Sequence, residues 1–366
     1  MKLITTVILL FFSCATGLNE NMNSKWEILN TSGLREVNEE FKRIIFINPQ
    51  DGFLFGTNYS DDVLLNKKFN EQNAVIYNSN DGGKKWNEKV VGKGYFVDAT
   101  FAEHNLFALS NIPSESSYAI IDSSILYASN DTGEVWLPIF KFNNYVREIK
   151  FMNSKIGIAI AKNNKEGSLK WQILKTVDGG FKWESWFETN SIEQPIIYDD
   201  TLCFLSKKSA NECYINRINL LTKNVLPEEA LPQDFEPMKF IVDLNKELWI
   251  AGIQNEETMV YHRNSNGDYY VVKKFVGSSN YPAYLNILGK DIYLILGQME
   301  KNRVEYKFYL CTKGNIWVDE VLPIATYVNP IFSCQELIWV YSGAGRIQRR
   351  NRLLSTDVYP ESKDSR

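Results

Sequence analysis

This 366-residue sequence predicts an all-β fold, a seven-bladed propeller with four-stranded blades. Three observations carry that prediction. The pattern Ser/Thr-x-Asp-x-Gly-x-x-Trp occurs three times, with its aspartates 50 and 47 residues apart. The same interval continues in weaker form towards the C-terminus. Between these points lie short runs of β-branched and aromatic residues broken by turn residues, the pattern of strands in a repeat architecture.

Composition sets outer bounds. A hydrophobic fraction of 44% can fill a core, so wholesale disorder is excluded. Lys+Arg 40 against Asp+Glu 44 leaves a net charge of -4, without the positive surplus of a general nucleic-acid binder. His104 and His262 are the two histidines, too few for multi-histidine zinc clusters, and they leave a histidine-based triad only two candidate bases. The sequence therefore assigns no catalytic residue, no cofactor and no metal, and it predicts a monomer.

The N-terminus reads as an export signal over residues 1–17. Lys2 precedes Leu3–Phe12, an apolar run too short to span a bilayer but suited to a signal-peptide core. Ala15-Thr16-Gly17 allows cleavage after Gly17. Phe11-Phe12-Ser13-Cys14 resembles a bacterial lipobox, which would make Cys14 a lipid anchor and the protein a periplasmic or cell-surface lipoprotein. Residues 18–357 then form one propeller domain, and 358–366 form a polar tail. Cys203, Cys213, Cys311 and Cys334 sit in apolar strand-like runs and read as buried free thiols rather than as a disulfide framework.

The three octets begin at Ser79, Ser129 and Thr176. They place aspartates at Asp81, Asp131 and Asp178, glycines at Gly83, Gly133 and Gly180, and tryptophans at Trp86, Trp136 and Trp183. Turn chemistry accounts for each position. The carboxylate accepts backbone N–H groups, glycine supplies a positive φ, and the tryptophan opens the next strand and buries a large ring. These aspartates are structural, not metal ligands or acids.

The octets resemble the Asp-box, or BNR, repeat of sialidases, sortilin-type receptors and the photosystem assembly factor Ycf48. The resemblance implies one motif per four-stranded propeller blade. Decayed counterparts follow at Asn219–Leu226, at Arg263–Tyr270 with Gly267 retained, and at Leu310–Trp317 with Gly314 retained. Innermost strands are expected at Ile44–Asn48, Tyr95–Phe101, Arg147–Phe151, Gln194–Tyr198, Met238–Val242, Ala283–Ile287 and Tyr327–Phe332. The seventh blade runs short after Leu337–Tyr341 and about Arg346–Arg350. Its missing strand is expected from Ser24–Leu29, which would close the ring.

In this geometry the A–B and C–D turns share one face, and the B–C and D–A connections share the other. Two B–C segments are long: Thr57–Asn73, with Asp61, Asp62, Lys67 and Lys68, and Asn111–Ser124, with Tyr118. Gln298–Arg303 adds Arg303, and the D–A connections add Tyr145, Tyr281 and Tyr327. These residues are the expected binding rim, because long segments on a rigid scaffold gather binding groups. Sialidase chemistry needs converging arginines. The candidates Arg147, Arg217, Arg263 and Arg303 are sparse, and Phe41-Lys42-Arg43-Ile44 lacks the proline of the sialidase signature. Asp98, Glu193 and Asp243 offer carboxylates that the sequence does not pair. Arg346, Arg349, Arg350 and Arg352 read as a solvated basic strand and tail. The resulting functional expectation is a non-enzymatic cell-envelope scaffold that recognises a protein or glycan through the B–C/D–A face. The alternative is a carbohydrate-active enzyme using carboxylates at the channel mouth.

Overall fold

The computed structural model describes residues 26–34, 39–58, 69–115, 117–163, 170–209, 212–276, 280–288, 291–300, 303–312, 316–322, 331–334, 337–341 and 346–351. Among them the regular elements are strands, apart from one 3-10 turn at Phe69–Glu71. The first, β1 (Trp26–Leu29), is set apart from its neighbours in sequence. Blade 1 comprises β2 (Glu39–Phe46), β3 (Gly52–Asn58), β4 (Asn73–Ser79) and β5 (Asn87–Lys93). Blade 2 comprises β6 (Tyr95–Ala102), β7 (Asn105–Ser114), β8 (Ser117–Ser129) and β9 (Leu137–Phe142). Blade 3 comprises β10 (Val146–Phe151), β11 (Gly157–Lys162), β12 (Trp171–Thr176) and β13 (Glu184–Thr189). Blade 4 comprises β14 (Glu193–Tyr198), β15 (Thr201–Ser209), β16 (Glu212–Asn219) and the short β17 (Glu229–Ala230). Blade 5 comprises β18 (Phe235–Val242), β19 (Leu248–Gln254), β20 (Glu257–Arg263) and β21 (Tyr269–Phe275). Blade 6 comprises β22 (Asn280–Leu288), β23 (Asp291–Glu300), β24 (Arg303–Thr312) and β25 (Ile316–Val321). Blade 7 comprises β26 (Ile331–Cys334), β27 (Leu337–Tyr341), β28 (Ile347–Asn351) and, outermost, β1.

Blades 1 to 6 are antiparallel meanders, blade 7 takes its outer strand from β1, and the seven sheets form a seven-bladed β-propeller. A single blade cannot bury both of its faces, so the core is shared between neighbours. The buried apolar residues fall into seven clusters, one at each blade–blade junction. Between blades 7 and 1, for example, Phe46 stacks on Trp339 with ring centroids 3.8 Å apart.

Ring closure follows the expected route. Trp26 pairs with Arg350 and Leu29 with Ile347, so the first strand of the chain becomes the outer strand of the last blade. The segment beyond it crosses to blade 1. Ser32 bridges Lys85, and the Trp86 N–H donates to the Ser32 carbonyl at 2.9 Å. At Gly33 the backbone is left-handed (φ 89°), and a Cβ there would lie 1.9 Å from the Trp86 carbonyl oxygen. Only glycine fits that approach.

Three expectations are corrected. Asn111–Ser124 is not an irregular loop. It is the far end of the β7–β8 hairpin, which turns at Ser114–Ser117. Gln298–Arg303 is likewise a tight hairpin, with Glu300 opposite Arg303. The basic C-terminal run is solvated only in part: Arg346 is exposed, and Arg352 falls outside the described residues. Arg350 is 0% exposed, with its guanidinium 5.0 Å above the Phe308 ring, because β28 is a third strand covered by β1. Arg349 pairs with Glu27 at 2.7 Å.

Candidate functional site

The innermost strands share an irregularity. In six blades the register slips near the strand start: at Phe41/Arg43, Phe96/Asp98, Val146/Glu148, Glu193/Ile196, Pro237/Lys239 and Pro282/Tyr284. A β-bulge adds one residue and re-aims the side chains beside it. The extra backbone crowds the second strand. A Cβ on Gly56 would lie 2.0 Å from the Glu40 carbonyl oxygen, and one on Gly252 would lie 2.2 Å from that of Glu236. Just past the slips stand Arg43, Asp98, Glu148, Ile196, Lys239 and Tyr284, at equivalent places around the ring. The charges of Lys239, Glu148 and Arg43 act on one another although their blades are not neighbours. Side chains of non-adjacent blades can meet in this way only across the central channel.

Asp98 organises one side of this belt. Its carboxylate is 1% exposed and accepts from Arg43 Nε at 2.5 Å and from Lys150 Nζ at 3.2 Å. Backbone amides of Ala99 at 2.9 Å and Ile149 at 3.0 Å complete its shell. Burial alone would raise its pKa. The charges of Arg43 and Lys150, with hydrogen bonds from Arg43 and the Ile149 amide, outweigh burial and hold it below the usual carboxylate range. The same pairing holds the Arg43 guanidinium above its ordinary value. The chain of charges continues into blades 3 and 4. Glu148 contacts Lys150 at 3.4 Å and Arg147 at 2.8 Å. Arg147 reaches Glu193 at 3.7 Å, donates to the Ile192 carbonyl at 2.7 Å and lies 4.6 Å over the Trp171 ring.

Lys239 differs. It is half-buried and, among the described residues, makes no ion pair within 4.0 Å. Its ammonium lies 5.8 Å from the Tyr284 ring centroid. Burial, and then the charge of Arg43, lower its pKa, while Glu148 acts in the opposite sense. The belt is charge-matched across blades 1 to 4 and carries on blade 5 a cation that, among the described residues, has no ion-pair partner.

Sequence reasoning had Asp98, Glu193 and Arg147 in view but set aside Arg43 for want of a proline, and it left Lys150 and Lys239 unremarked. Of the other candidate arginines, Arg217 and Arg263 lie on third strands and both contact Glu229. The Tyr269 hydroxyl also donates to Glu229, making a junction between blades 4 and 5 away from the channel. Asp243 lies on the opposite face. Of the expected rim, Tyr281 stands at the start of β22 with its ring against Gly297, and Tyr145 packs near Trp171 with centroids 6.3 Å apart. Tyr118 lies in β8 and Arg303 in β24, with their side chains outside the described residues. Asp61, Asp62, Lys67, Lys68 and Tyr327 fall outside the described residues altogether, as does Cys14.

The octets occupy the other face. In the first, Asp81 Oδ1 accepts from the Ser79 hydroxyl at 2.9 Å and from the amides of Lys84 and Lys85 at 3.0 and 2.9 Å. The Ser79 hydroxyl oxygen accepts from Gly83 N–H at 3.0 Å, and Trp86 Nε1 donates to the Gly83 carbonyl at 2.8 Å. Asp131 and Asp178 repeat this arrangement with Ser129 and Thr176, Val135 and Lys182, and Trp136 and Trp183. Gly83, Gly133 and Gly180 have φ of 93°, 88° and 93°. Every lone pair used here serves a turn. Cys203, Cys213 and Cys311 are buried thiols, and the Cys334 side chain is outside the described residues.

The fold and belt define a seven-bladed propeller with a charged central channel. No protein-family model matches the chain, and no curated protein matches it either. Solved structures do resemble it. A catalytically inactive virginiamycin B lyase from Staphylococcus aureus, crystallised with quinupristin, superposes with a TM-score of 0.59 at 14% identity. That match covers 90% of this chain and 99% of the lyase. A puromycin-hydrolyzing peptidase from Mycobacterium tuberculosis gives a TM-score of 0.60 at 7% identity, over 83% of this chain and 49% of the peptidase. The propeller domain of the Trilobed protease from Pyrococcus furiosus gives 0.52 at 12% identity, over 82% of this chain and 91% of that domain. At these identities the likeness extends to the fold alone.

Proposed function

We propose that the chain is an exported, envelope-tethered binding propeller that holds a protein or glycan on its B–C/D–A face and contacts an acidic group of that ligand in the channel. The carrying observation is Lys239, a half-buried ammonium held near Arg43 without a carboxylate partner. An incoming anion would relieve the repulsion between the two cations and occupy a partly desolvated site, where charge-assisted hydrogen bonds are strong. The β7–β8 hairpin, projecting on the same face, supplies a wall against which a large ligand can rest. The state of Asp98 favours binding over glycoside hydrolysis. A carboxylate held ionised by two cations is a poor proton donor, whereas a glycosidase acid needs a raised pKa.

The test is an array of acidic and neutral glycans and peptides probed with the mature protein and with Lys239→Met. Retention of acidic ligands, weakened by Lys239→Met, is the expected result. Equal retention of neutral ligands, or product release from a fluorogenic glycoside panel that disappears in Glu148→Gln, would overturn the proposal.

A further inference from the structure

On the face opposite the proposed binding surface, blade 5 has lost most of the octet but gathers a different set of side chains. Asp243 follows β18 and Glu247 lies in the same A–B turn, while His262 sits near the end of β20. One ligand atom from each lies within 4.8 Å of the others. Sequence reasoning ruled out zinc sites built on several histidines. The fold instead brings one histidine to two carboxylates from a turn 15 to 19 residues earlier.

The environment of His262 is the decisive observation. The residue is 6% exposed, and its ring stacks on Trp249 with centroids 4.2 Å apart. Its Nδ1 is bonded to the Tyr270 hydroxyl. Ring orientation is thus set from two sides. The remaining atom, Nε2, is buried and has no hydrogen-bond partner among the described residues. It lies 3.0 Å from Glu247 Oε2, an approach close enough for a hydrogen bond but wrongly directed for one. A buried nitrogen in this state is costly unless something else engages it. Asp243 is equally prepared. Its Oδ1 caps the turn by accepting from Asn245 and Glu247 amides at 2.8 and 2.9 Å. Among the described residues its Oδ2 accepts only Trp249 Nε1, at 3.1 Å, and keeps capacity for a cation.

We propose that Asp243, Glu247 and His262 bind one divalent cation of the zinc class, cross-linking the A–B turn of blade 5 to its third strand. Two carboxylates balance the charge of a dication. A tetrahedral zinc ion with bonds of about 2.0–2.2 Å spaces its ligands about 3.4 Å apart, so a modest contraction of the half-buried Glu247 arm completes three positions, and water takes the fourth. The imidazole nitrogen selects Zn2+ or Co2+ over Mg2+ and Ca2+, which prefer oxygen shells. The Tyr270 hydroxyl hydrogen-bonds the other nitrogen of the histidine and fixes the ring, the part that a carboxylate, carbonyl or water plays behind other metal-bound imidazoles. The ion would supply in blade 5 the turn-to-strand link that the carboxylate turns supply in blades 1 to 3. It stands independently of the channel reading.

The experiment uses chelator-treated full mature protein titrated with ZnCl2 or CoCl2 alone, followed by calorimetry, thermal unfolding and visible absorption of Co2+. One Zn2+ per chain is expected, with a rise in Tm and no competition from excess MgCl2. Glu247→Gln keeps the shape of a partly exposed residue and should weaken Zn2+ binding about tenfold or more and abolish the Tm response. Tyr270→Phe should weaken binding about 10- to 100-fold. His262→Gln tests the nitrogen directly. If it does not fold, loss of the Co2+ bands in Glu247→Gln still decides the matter. No saturable Zn2+ binding to the wild type, or binding of equal affinity in Glu247→Gln, would overturn the site.

Discussion

The rings of Trp26 and Phe308 meet edge to face, with centroids 5.3 Å apart. The first strand of the chain therefore packs against blade 6 while it hydrogen-bonds to blade 7. Trp26 buries a large aromatic surface, and its loss would open a cavity at the closing junction of the ring. Trp26→Ala should destabilise the protein by about 3–5 kcal/mol in urea unfolding. Glu27→Ala, which removes a solvent-facing partner of Arg349 in the same strand, should cost about 0–1 kcal/mol. Similar losses for the two variants would mean that the strand closes the ring by backbone pairing alone.

Asp98 carries a different kind of stability. Removing a buried carboxylate that holds two cations leaves both uncompensated, so Asp98→Ala should cost about 3–5 kcal/mol. The pH dependence follows from its lowered pKa. A depressed carboxylate contributes stability that is full above its unfolded value of about 3.9 and is lost as pH falls through the folded value. Wild type and Asp98→Ala should thus converge in stability at strongly acidic pH. Parallel stability curves down to the acid limit would refute this role for the ion pairs.

In the octets the serine or threonine hydroxyl is buried and serves both as donor to the aspartate and as acceptor for the glycine amide. Ser79→Ala leaves the Gly83 amide without its acceptor and should cost about 1–2 kcal/mol. Asp81, Asp131 and Asp178 all have lowered pKa values, in which hydrogen bonds from the turn amides are a shared cause. Stability from these turns should fade together as pH drops below the usual carboxylate range. Denaturant midpoints for Ser79→Ala and wild type across that range provide the check. An unchanged midpoint for Ser79→Ala at neutral pH would remove the turn from the stability account.

The thiols give a chemical readout of the blade junctions. Burial pushes Cys203 and Cys311 up to about 11 and also raises Cys213. At pH 8 their thiolate populations are small and shielded, so they should resist a disulfide reagent in the native state and react on unfolding. The measurement is clean in a chain carrying Cys14→Ser and Cys334→Ser. Rapid native labelling of any of the three would contradict the burial of these strands.

Much of this architecture was readable as text because a repeat writes the same local chemistry several times. Turn residues mark the strand boundaries, as at Asn153, whose side chain accepts the amides of Lys155 and Ile156. The closing strand was readable because Trp26 resembles the tryptophan after an octet. The channel belt was not. Arg43 lies 55 residues from Asp98, and Asp98 lies 52 from Lys150. Each step is one blade, so a local reading shows three unrelated charges. Register slips then turn those charges inward, and no residue type announces such a slip. Superimposing the repeats on one another, strand start on strand start, was the signal that could have aligned Arg43, Asp98, Glu148 and Lys239. Within the basic cluster, Arg350 departs from expectation for a related reason. Charge suggests solvent, but β1 arrives from the other end of the chain to cover it.

Lys239 makes the sharpest forecast, because its burden should be visible without any ligand. A lysine whose folded pKa is lowered destabilises the native state wherever it must stay charged. Lys239→Met keeps the length of the stem and removes the cation, so it should stabilise the ligand-free protein by about 0.5–1 kcal/mol near neutral pH. The sign with pH is fixed by proton uptake. Between the folded value and the ordinary lysine value of about 10.4, the unfolded chain binds more protons than the native one, so wild-type stability gains with rising pH. The advantage of Lys239→Met should therefore shrink as pH approaches that value, read as the difference between two urea curves so that other titrating groups cancel. A variant less stable than wild type at pH 7, or one whose difference does not move with pH, would mean that Lys239 is already compensated in the channel and is not poised for an anion.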